Sequence, residues 1–297
     1  MTCKYSMLAL DLDGTLLRSD GSISHENMAA LHAARENHVK IVVCTGRGWA
    51  ECRHILKQID QVDPVIVAGG SIIAEAKSGA TIHREAMELS LVHEAVGAVN
   101  DAGHAALVLK DPHEVGYEYL VVHGRERRQL DPVTSWWFRT MGVRVKTVDH
   151  VHEDEHEDHT VRVGACAPSN KLADLAERLQ AAAHGRGIVH HFPAVVAPDH
   201  ATKGDGDGKM HILELFDARA NKWSGACHLA AKWNIPHERI VAIGDEVNDE
   251  SMIRGAGLGI AMGNAVPMIR DIAKRVTATN NEDGVAKALR QVLNGSW

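Results

Sequence analysis

Apolar residues fall along this chain in two rhythms: short unbroken runs, and longer segments whose apolar positions recur every three to four residues. The first run, Met7-Leu8-Ala9-Leu10, predicts a buried strand. Ser24 then caps a helix through His38 with Met28 and Leu31 on its apolar face, and residues 39–44 predict a second strand, which makes a βαβ unit with a parallel sheet. Thr45-Gly46-Arg47-Gly48 ends that strand, and Cys52, Ile55, Leu56 and Ile59 recur at helical spacing beyond it. Residues 64–68 predict a third strand. Residues 71–74 and 80–83, joined across Lys77-Ser78-Gly79, predict a hairpin that breaks the rhythm.

From residue 85 to residue 198 the pattern changes. Helices are expected at 91–101, 131–141 and 169–183, and strands at 106–109, 143–148, 161–165 and 188–191, which together form a second, α+β body. The βα rhythm then returns: strand 212–216, helix 222–233, strand 240–243, helix 249–254, strand 258–261, and helices at 267–274 and 283–293. The expected fold is therefore α/β, a Rossmann-like parallel-sheet core with helices on both faces (residues 1–84 and 199–297), interrupted once by an inserted α+β domain at 85–198. Gly204-Asp205-Gly206-Asp207-Gly208 marks a flexible return to the core.

Composition narrows the class. Hydrophobic residues at 45% and charged residues at 24% fit a globular chain of 297 residues with a sizeable core and exclude a disordered one. No apolar run reaches the length of a membrane span, and the first six residues are too short and polar for a signal peptide, so no membrane partner is expected and the cytoplasm is the expected address. Five cysteines without a paired spacing suit reduced thiols there. The net charge of −7 leaves no basic field for nucleic acid, so small anions must be bound locally. Exposed apolar surface and apolar core read alike in a sequence, so oligomeric state is not set by it.

The candidate chemistry lies at strand ends. Asp11 and Asp13 follow the first strand at alternate positions, and Gly14-Thr15 lets the chain turn away. Asp245 and Asp249 follow the strand at 240–243. A parallel sheet delivers all its carboxyl ends to one edge, so these four carboxylates can converge although more than two hundred residues of chain lie between the pairs. Such a cluster repels itself unless a hard cation sits in it, and oxygen ligands with room for water and phosphate suit Mg2+. Thr45 offers a hydroxyl and backbone N–H at a strand end, and Lys222 an ammonium at a helix start after Asn221; both are anion-binding positions. Each motif has a plainer reading, since Asp-Gly is a common turn and a terminal lysine is commonly only solvated.

Three further patterns are weaker. Asp205, Asp207, Gly208 and Glu214 stand at EF-hand offsets, but Lys203 occupies the first ligand position. The His, Asp and Glu run at 149–159 has metal-ligating side chains but reads as a solvated loop between strands. Gly255-Ala256-Gly257-Leu258-Gly259 precedes a strand, the reverse of a dinucleotide loop.

In this order the motifs resemble those of the haloacid dehalogenase-like superfamily, and the whole chain is similar to its Cof-type phosphatases with an α/β cap (class IIB). Asp11-Leu12-Asp13-Gly14-Thr15, Thr45-Gly46-Arg47, Lys222 and Gly244-Asp245-Glu246-Val247-Asn248-Asp249 resemble the four family motifs; Ala261-Met262-Gly263-Asn264-Ala265 and Asn281-Glu282-Asp283-Gly284-Val285 resemble the subgroup's carboxyl-terminal wording. The resemblance implies Mg2+-dependent hydrolysis of a small phosphorylated metabolite. Asp11 would be the nucleophile and Asp13 the acid and base; Asp11, the Asp13 backbone carbonyl and Asp245 would bind metal. Thr45, Gly46, Lys222 and Asn248 would hold the phosphoryl group, with Asp249 in the outer shell. A hexose phosphomutase with the same chemistry and a phosphate-binding protein without turnover are the alternatives. The chain departs from the family at Trp223, where a small residue is usual, which makes Lys203 and Lys209 fallbacks for Lys222. Substrate choice is expected from the inserted domain, where Trp136, Trp137, Arg139, His190 and His191 are candidates by composition.

Overall fold

The computed structural model describes residues 3–194 and 209–297. Lys203, the Gly-Asp-rich return and the EF-hand-offset residues up to Gly208 lie outside them. The chain divides into two compact units, Met1–Ile82 with Asn221–Trp297, and His83–Ala220.

The first unit is built on β1 (Met7–Leu10), four apolar residues buried on both faces. Ser24 accepts from the Asn27 N–H and caps α1 (His25–Glu36); the helix ends two residues earlier than its pattern suggests, because His38 takes a left-handed φ of 60°. There follow β2 (Lys40–Val43), α2 (Trp49–Gln58), β3 (Val65–Val67), β4 (Ile72–Ala74) and β5 (Thr81–Arg84). The last three form the small sheet β3-β4-β5, with β3 and β4 antiparallel, and a parallel bridge from Cys44 to Ile66 carries β3 alongside the end of β2.

The second unit contains α3 (Leu89–Asp101), β6 (Ala106–Lys110), α4 (Pro112–Val115), β7 (Tyr119–Val122), α5 (Pro132–Met141), β8 (Val145–Val148), β9 (Thr160–Pro168), α6 (Ser169–Ala183), β10 (Gly187–Pro193) and β11 (Met210–Asp217). Its six strands form one sheet in the order β10-β11-β9-β6-β7-β8. Leu91, Val92 and Val96 of α3 and Leu172, Leu175 and Leu179 of α6 pack with Val108, Leu120, Val163, Leu213 and Leu215 as its core.

The chain then returns to the first unit with α7 (Lys222–Lys232), β12 (Ile240–Gly244), α8 (Glu250–Gly255), β13 (Leu258–Ala261), α9 (Pro267–Ile272), β14 (Arg275–Val276) and α10 (Gly284–Leu293). Here the main sheet runs β14-β13-β12-β1-β2, all parallel. Buried Asn27 ties α1 to the rest, accepting from the Ala286 N–H at 3.0 Å and donating to the Leu16 carbonyl at 3.4 Å.

Several elements differ from the sequence reading. The strand at 212–216 is not the first strand of the returning core: β11 is antiparallel to both β9 and β10, so the second unit runs to Ala220 and not to residue 198. Its apolar run precedes a helix, like any βα unit, and only its lateral partners distinguish it. The sequence reading also has no counterpart for α4, β7 or β14, runs of two to four residues that are too short to show a period.

Since Leu8 is fully buried on the central strand, Leu8→Ala is expected to destabilise the protein by about 2–5 kcal/mol, read from urea unfolding.

Candidate active site

At the end of β1 the Asp11 N–H still donates to the Ile243 carbonyl at 3.1 Å, as if the strand continued. Extension stops there. Residues Leu12–Leu16 form one wide helical turn in which Gly14 has φ 72°. A Cβ on Gly14 would lie 2.1 Å from Oδ2 of Asp245, so the missing side chain and the positive φ both admit the second acidic loop. Thr15 Oγ1 donates to Asp245 Oδ1 at 2.8 Å, and Asn264 Nδ2 donates to the Gly14 carbonyl at 2.8 Å and to Asp245 Oδ2 at 3.3 Å. Asn264 is itself held by the Asn280 N–H on its Oδ1.

The other acidic loop leaves β12 at Gly244. Asp249 is fully buried, and its Oδ2 accepts from the N–H groups of Asp245 and Glu246 at 2.9 and 3.1 Å. Its Oδ1 accepts from Lys222 Nζ at 2.6 Å. Asn221 caps α7 by accepting from the Ser224 N–H, which fixes Lys222 at the first helical position. From there Nζ also donates to Asp11 Oδ1 at 2.7 Å and to Asn248 Oδ1 at 3.3 Å. Trp223 beside it packs against Gly255, where a Cβ would come within 2.2 Å of the indole, and meets His237 edge-on. The bulky residue at this place is thus seated against a neighbouring glycine and does not displace the lysine.

Oxygen atoms of Asp11, Asp245 and Asp249 all lie within 4.8 Å of one another, the one such cluster of three metal-ligating side chains among the described residues. Burial, with the charge of Asp249, holds the Asp11 carboxyl well above the usual carboxylate range, against the pull of Lys222. Burial and Asp249 push Asp245 up to about 7, with the Thr15 hydrogen bond and Lys222 acting the other way. Burial would lower the Lys222 ammonium, but Asp11 and Asp249 outweigh it and raise it above the ordinary lysine value. One cation among three carboxylates leaves excess negative charge, and this all-oxygen set with excess negative charge fits a hard divalent cation.

Of the expected phosphate-binding residues, Gly46 and Asn248 are neighbours: a Cβ on Gly46 would stand 3.8 Å from Asn248 Nδ2. Thr45 is buried, but its backbone N–H donates to the Ile66 carbonyl at 2.9 Å, so the N–H expected for anion binding is spent on the bridge to β3. Its Oγ1 accepts from the Arg47 N–H at 3.1 Å, which leaves the hydroxyl proton as its donor. Asp249, expected in the outer shell, belongs to the carboxylate cluster itself. The Asp13 carboxylate lies outside that cluster, paired with Arg47.

Sequence reasoning missed Thr15, Asn264 and Arg47 as members of the site. Asn264 follows β13 as Asp245 follows β12, so the strand-edge rule that found one also reaches the other.

The fallback Lys209 belongs to the second unit, its carbonyl accepting from the Ser169 N–H. The 149–159 run is ion-paired and not merely solvated: Asp149 pairs with Arg127, Glu155 with Lys146 and Glu157 with His93, and Asp154 is buried against Lys110. Of the candidates by composition, Trp136 and Trp137 pack on each other, His190 meets Phe216, and His191 meets His211.

Residues 8–289 match the sequence model of the haloacid dehalogenase-like hydrolases. The chain is 27% identical over 301 residues to a 5-amino-6-(5-phospho-D-ribitylamino)uracil phosphatase, YitU, of Bacillus subtilis, covering 99% of this chain and all of the relative. It is 28% identical to the phosphatase YwpJ of the same organism, over 97% of this chain and 99% of the relative. A haloacid dehalogenase-like hydrolase from Bacteroides thetaiotaomicron shares the fold with a TM-score of 0.76 at 23% identity, over 97% of this chain and 99% of that one. Among the described residues no helix is long and apolar enough to cross a membrane.

Replacing Lys222 by methionine strands two buried carboxylates. Lys222→Met is expected to cost about 3–5 kcal/mol in urea unfolding with EDTA, and measurably less when millimolar divalent cation replaces the chelator.

Proposed function

The chain belongs to the haloacid dehalogenase-like hydrolase family, and from that premise we propose that it is a Mg2+-dependent phosphomonoester hydrolase working through an aspartyl phosphate. The observation that carries the reading is the buried carboxylate cluster at the sheet edge, with Lys222 donating to both Asp11 and Asp249. Lys222 fixes Oδ1 of Asp11, which orients the carboxylate and leaves its other oxygen as the nucleophile.

Asp11 attacks phosphorus as the ester P–O bond breaks, and Asp13 gives a proton to the leaving oxygen. Asp13 then takes a proton from water, whose oxygen attacks the acyl phosphate and releases inorganic phosphate and free Asp11. Bound by Asp11, Asp245 and the Asp13 carbonyl, Mg2+ would supply charge neutralisation between an anionic nucleophile and an anionic substrate. Asp249 has both oxygens engaged by Lys222 and two backbone N–H groups, which suits it to hold Lys222 and the loop in place. The Thr45 hydroxyl, Gly46, Lys222 and Asn248 hold the phosphoryl oxygens.

The substrate class is a small phosphorylated metabolite, a sugar phosphate or similar monoester, and the second unit is assigned its selection. All five cysteines are free, as a reducing cytoplasm would keep them.

The test is phosphate release from a panel of metabolite monoesters and p-nitrophenyl phosphate. Mg2+-dependent release, abolished by EDTA and lowered at least about a thousandfold in Asp11→Asn, is expected. No release from any monoester, or full activity in Asp11→Asn, overturns the reading.

A further inference from the structure

Arg47 and Asp13 form a two-pronged ion pair: Nε donates to Oδ2 at 2.8 Å and Nη2 to Oδ1 at 2.5 Å. Both carboxylate oxygens are therefore acceptors in one planar fork. The acid and base work assigned to Asp13 conflicts with this geometry. The fork takes one lone pair of each oxygen and favours the ionised carboxylate, so a proton held for donation costs the pair its charge, and the attached cation makes the carboxylate a weaker base towards water. The pair and the proton transfers oppose one another.

The surroundings show which partner can move. The Arg47 backbone is pinned on both sides, its N–H on Thr45 Oγ1 at 3.1 Å and its carbonyl accepting from the Ala68 N–H at 2.8 Å. Exchange therefore needs only side-chain rotation. The Asp13 side chain is 49% exposed and that of Arg47 is 15% exposed. The guanidinium, whose Nη1 also donates to the Glu51 carbonyl at 3.4 Å, is thus the more firmly held partner and Asp13 the one with room to swing away; Arg47 lies on the loop whose preceding two residues are assigned to the phosphoryl group. A phosphoryl group matches a guanidinium fork as well as a carboxylate does and carries more charge. A guanidinium stays protonated in either pairing, so the fork meets both anions as a full positive charge.

We propose that Arg47 is a latch shared between Asp13 and the substrate: the phosphoryl group takes over the guanidinium, and Asp13 is freed to move protons only when there is a substrate to receive them. In this scheme Arg47 is a positioning residue for Asp13 and a contact for the phosphoryl group, and the two roles compete. The inference rests on the phosphatase reading above.

Competition has a signature that a purely structural arginine lacks. Inorganic phosphate binding is measured by titration calorimetry with Mg2+ for wild type, Asp13→Ala, Arg47→Ala and the double variant, with thermal unfolding as the check on folding. Removing Asp13 frees the latch, so Asp13→Ala is expected to bind phosphate about tenfold more tightly than wild type, one fork's worth of pairing. In the Arg47→Ala background the same change is expected to alter affinity less than about twofold. Should Arg47→Ala not fold, Arg47→Lys replaces it, and the gain is expected to fall below about threefold because an ammonium has no fork. Unchanged affinity in Asp13→Ala, phosphate binding undetectable in wild type and Asp13→Ala alike, or a full tenfold gain without the arginine, which would report only the loss of a repelling charge, overturns the latch. These measurements involve no turnover. The phosphatase reading fails separately, on the Asp11→Asn assay.

Discussion

Burying three carboxylates within 4.8 Å of one another is the constraint on which the rest of the first unit depends. Such a cluster is tolerable only with positive charge inside it, and the chain supplies one resident cation, Lys222. Its placement fixes more than its own side chain. Asn221 must cap α7 at that point, and the turn after β3 must lie flat beneath it: Gly70 has φ 115°, and a Cβ there would stand 2.1 Å from the Asn221 carbonyl carbon. The bridge that brings β3 to Cys44 uses the Thr45 N–H, so the same turn is anchored to the second strand end. Charge placement thus dictates where a helix starts, which turn precedes it and which backbone donors are spent.

Much of this was legible in the sequence because the parallel sheet obeys a simple rule. Apolar runs followed by Asp or Thr name residues that share one edge, and Asp11, Thr45 and Asp245 are found that way, whereas Asn248 comes only from the resemblance of the motif. The rule says nothing about lateral partners. For that reason β11, an apolar run before a helix, reads as a core strand although β9 and β10 claim it. The same blindness hides the fate of the Thr45 N–H and the pairing of Arg47 with Asp13, which depend on side chains thirty-four residues apart meeting at a loop rim. Fully exposed and fully buried acids also look alike in a charge run. Asp154 lies buried on Lys110 while its neighbours pair at the surface.

The two acidic loops differ in how they are held. Asp249 is satisfied entirely by donors within the unit, two of them from the backbone, and is therefore rigid. Asp245 is held by side chains, Thr15 on one oxygen and Asn264 on the other, and stays at the rim of the cluster. Asp13 is the most exposed of the acids and is held by the Arg47 fork. Exposure thus rises from the buried lysine outward, which leaves the charge scaffold enclosed and gives the outermost acid room to turn.

Pairing of β1 with β12 joins strands more than two hundred residues apart, and the Thr15 to Asp245 bond spans 230 residues of sequence. During synthesis β1 is followed closely by β2, its neighbour on one side, but the edge that β12 will cover stays unpaired until about 230 further residues have been made. No chain that stops short of β12 can assemble the acidic cluster, and until then the fully buried apolar strand β1 waits with one row of backbone groups open. The second unit, whose strands all lie between Ala106 and Asp217, is complete before that edge is closed. Assembly order is therefore written into the topology: the inserted body can mature first, and the catalytic sheet is sealed last.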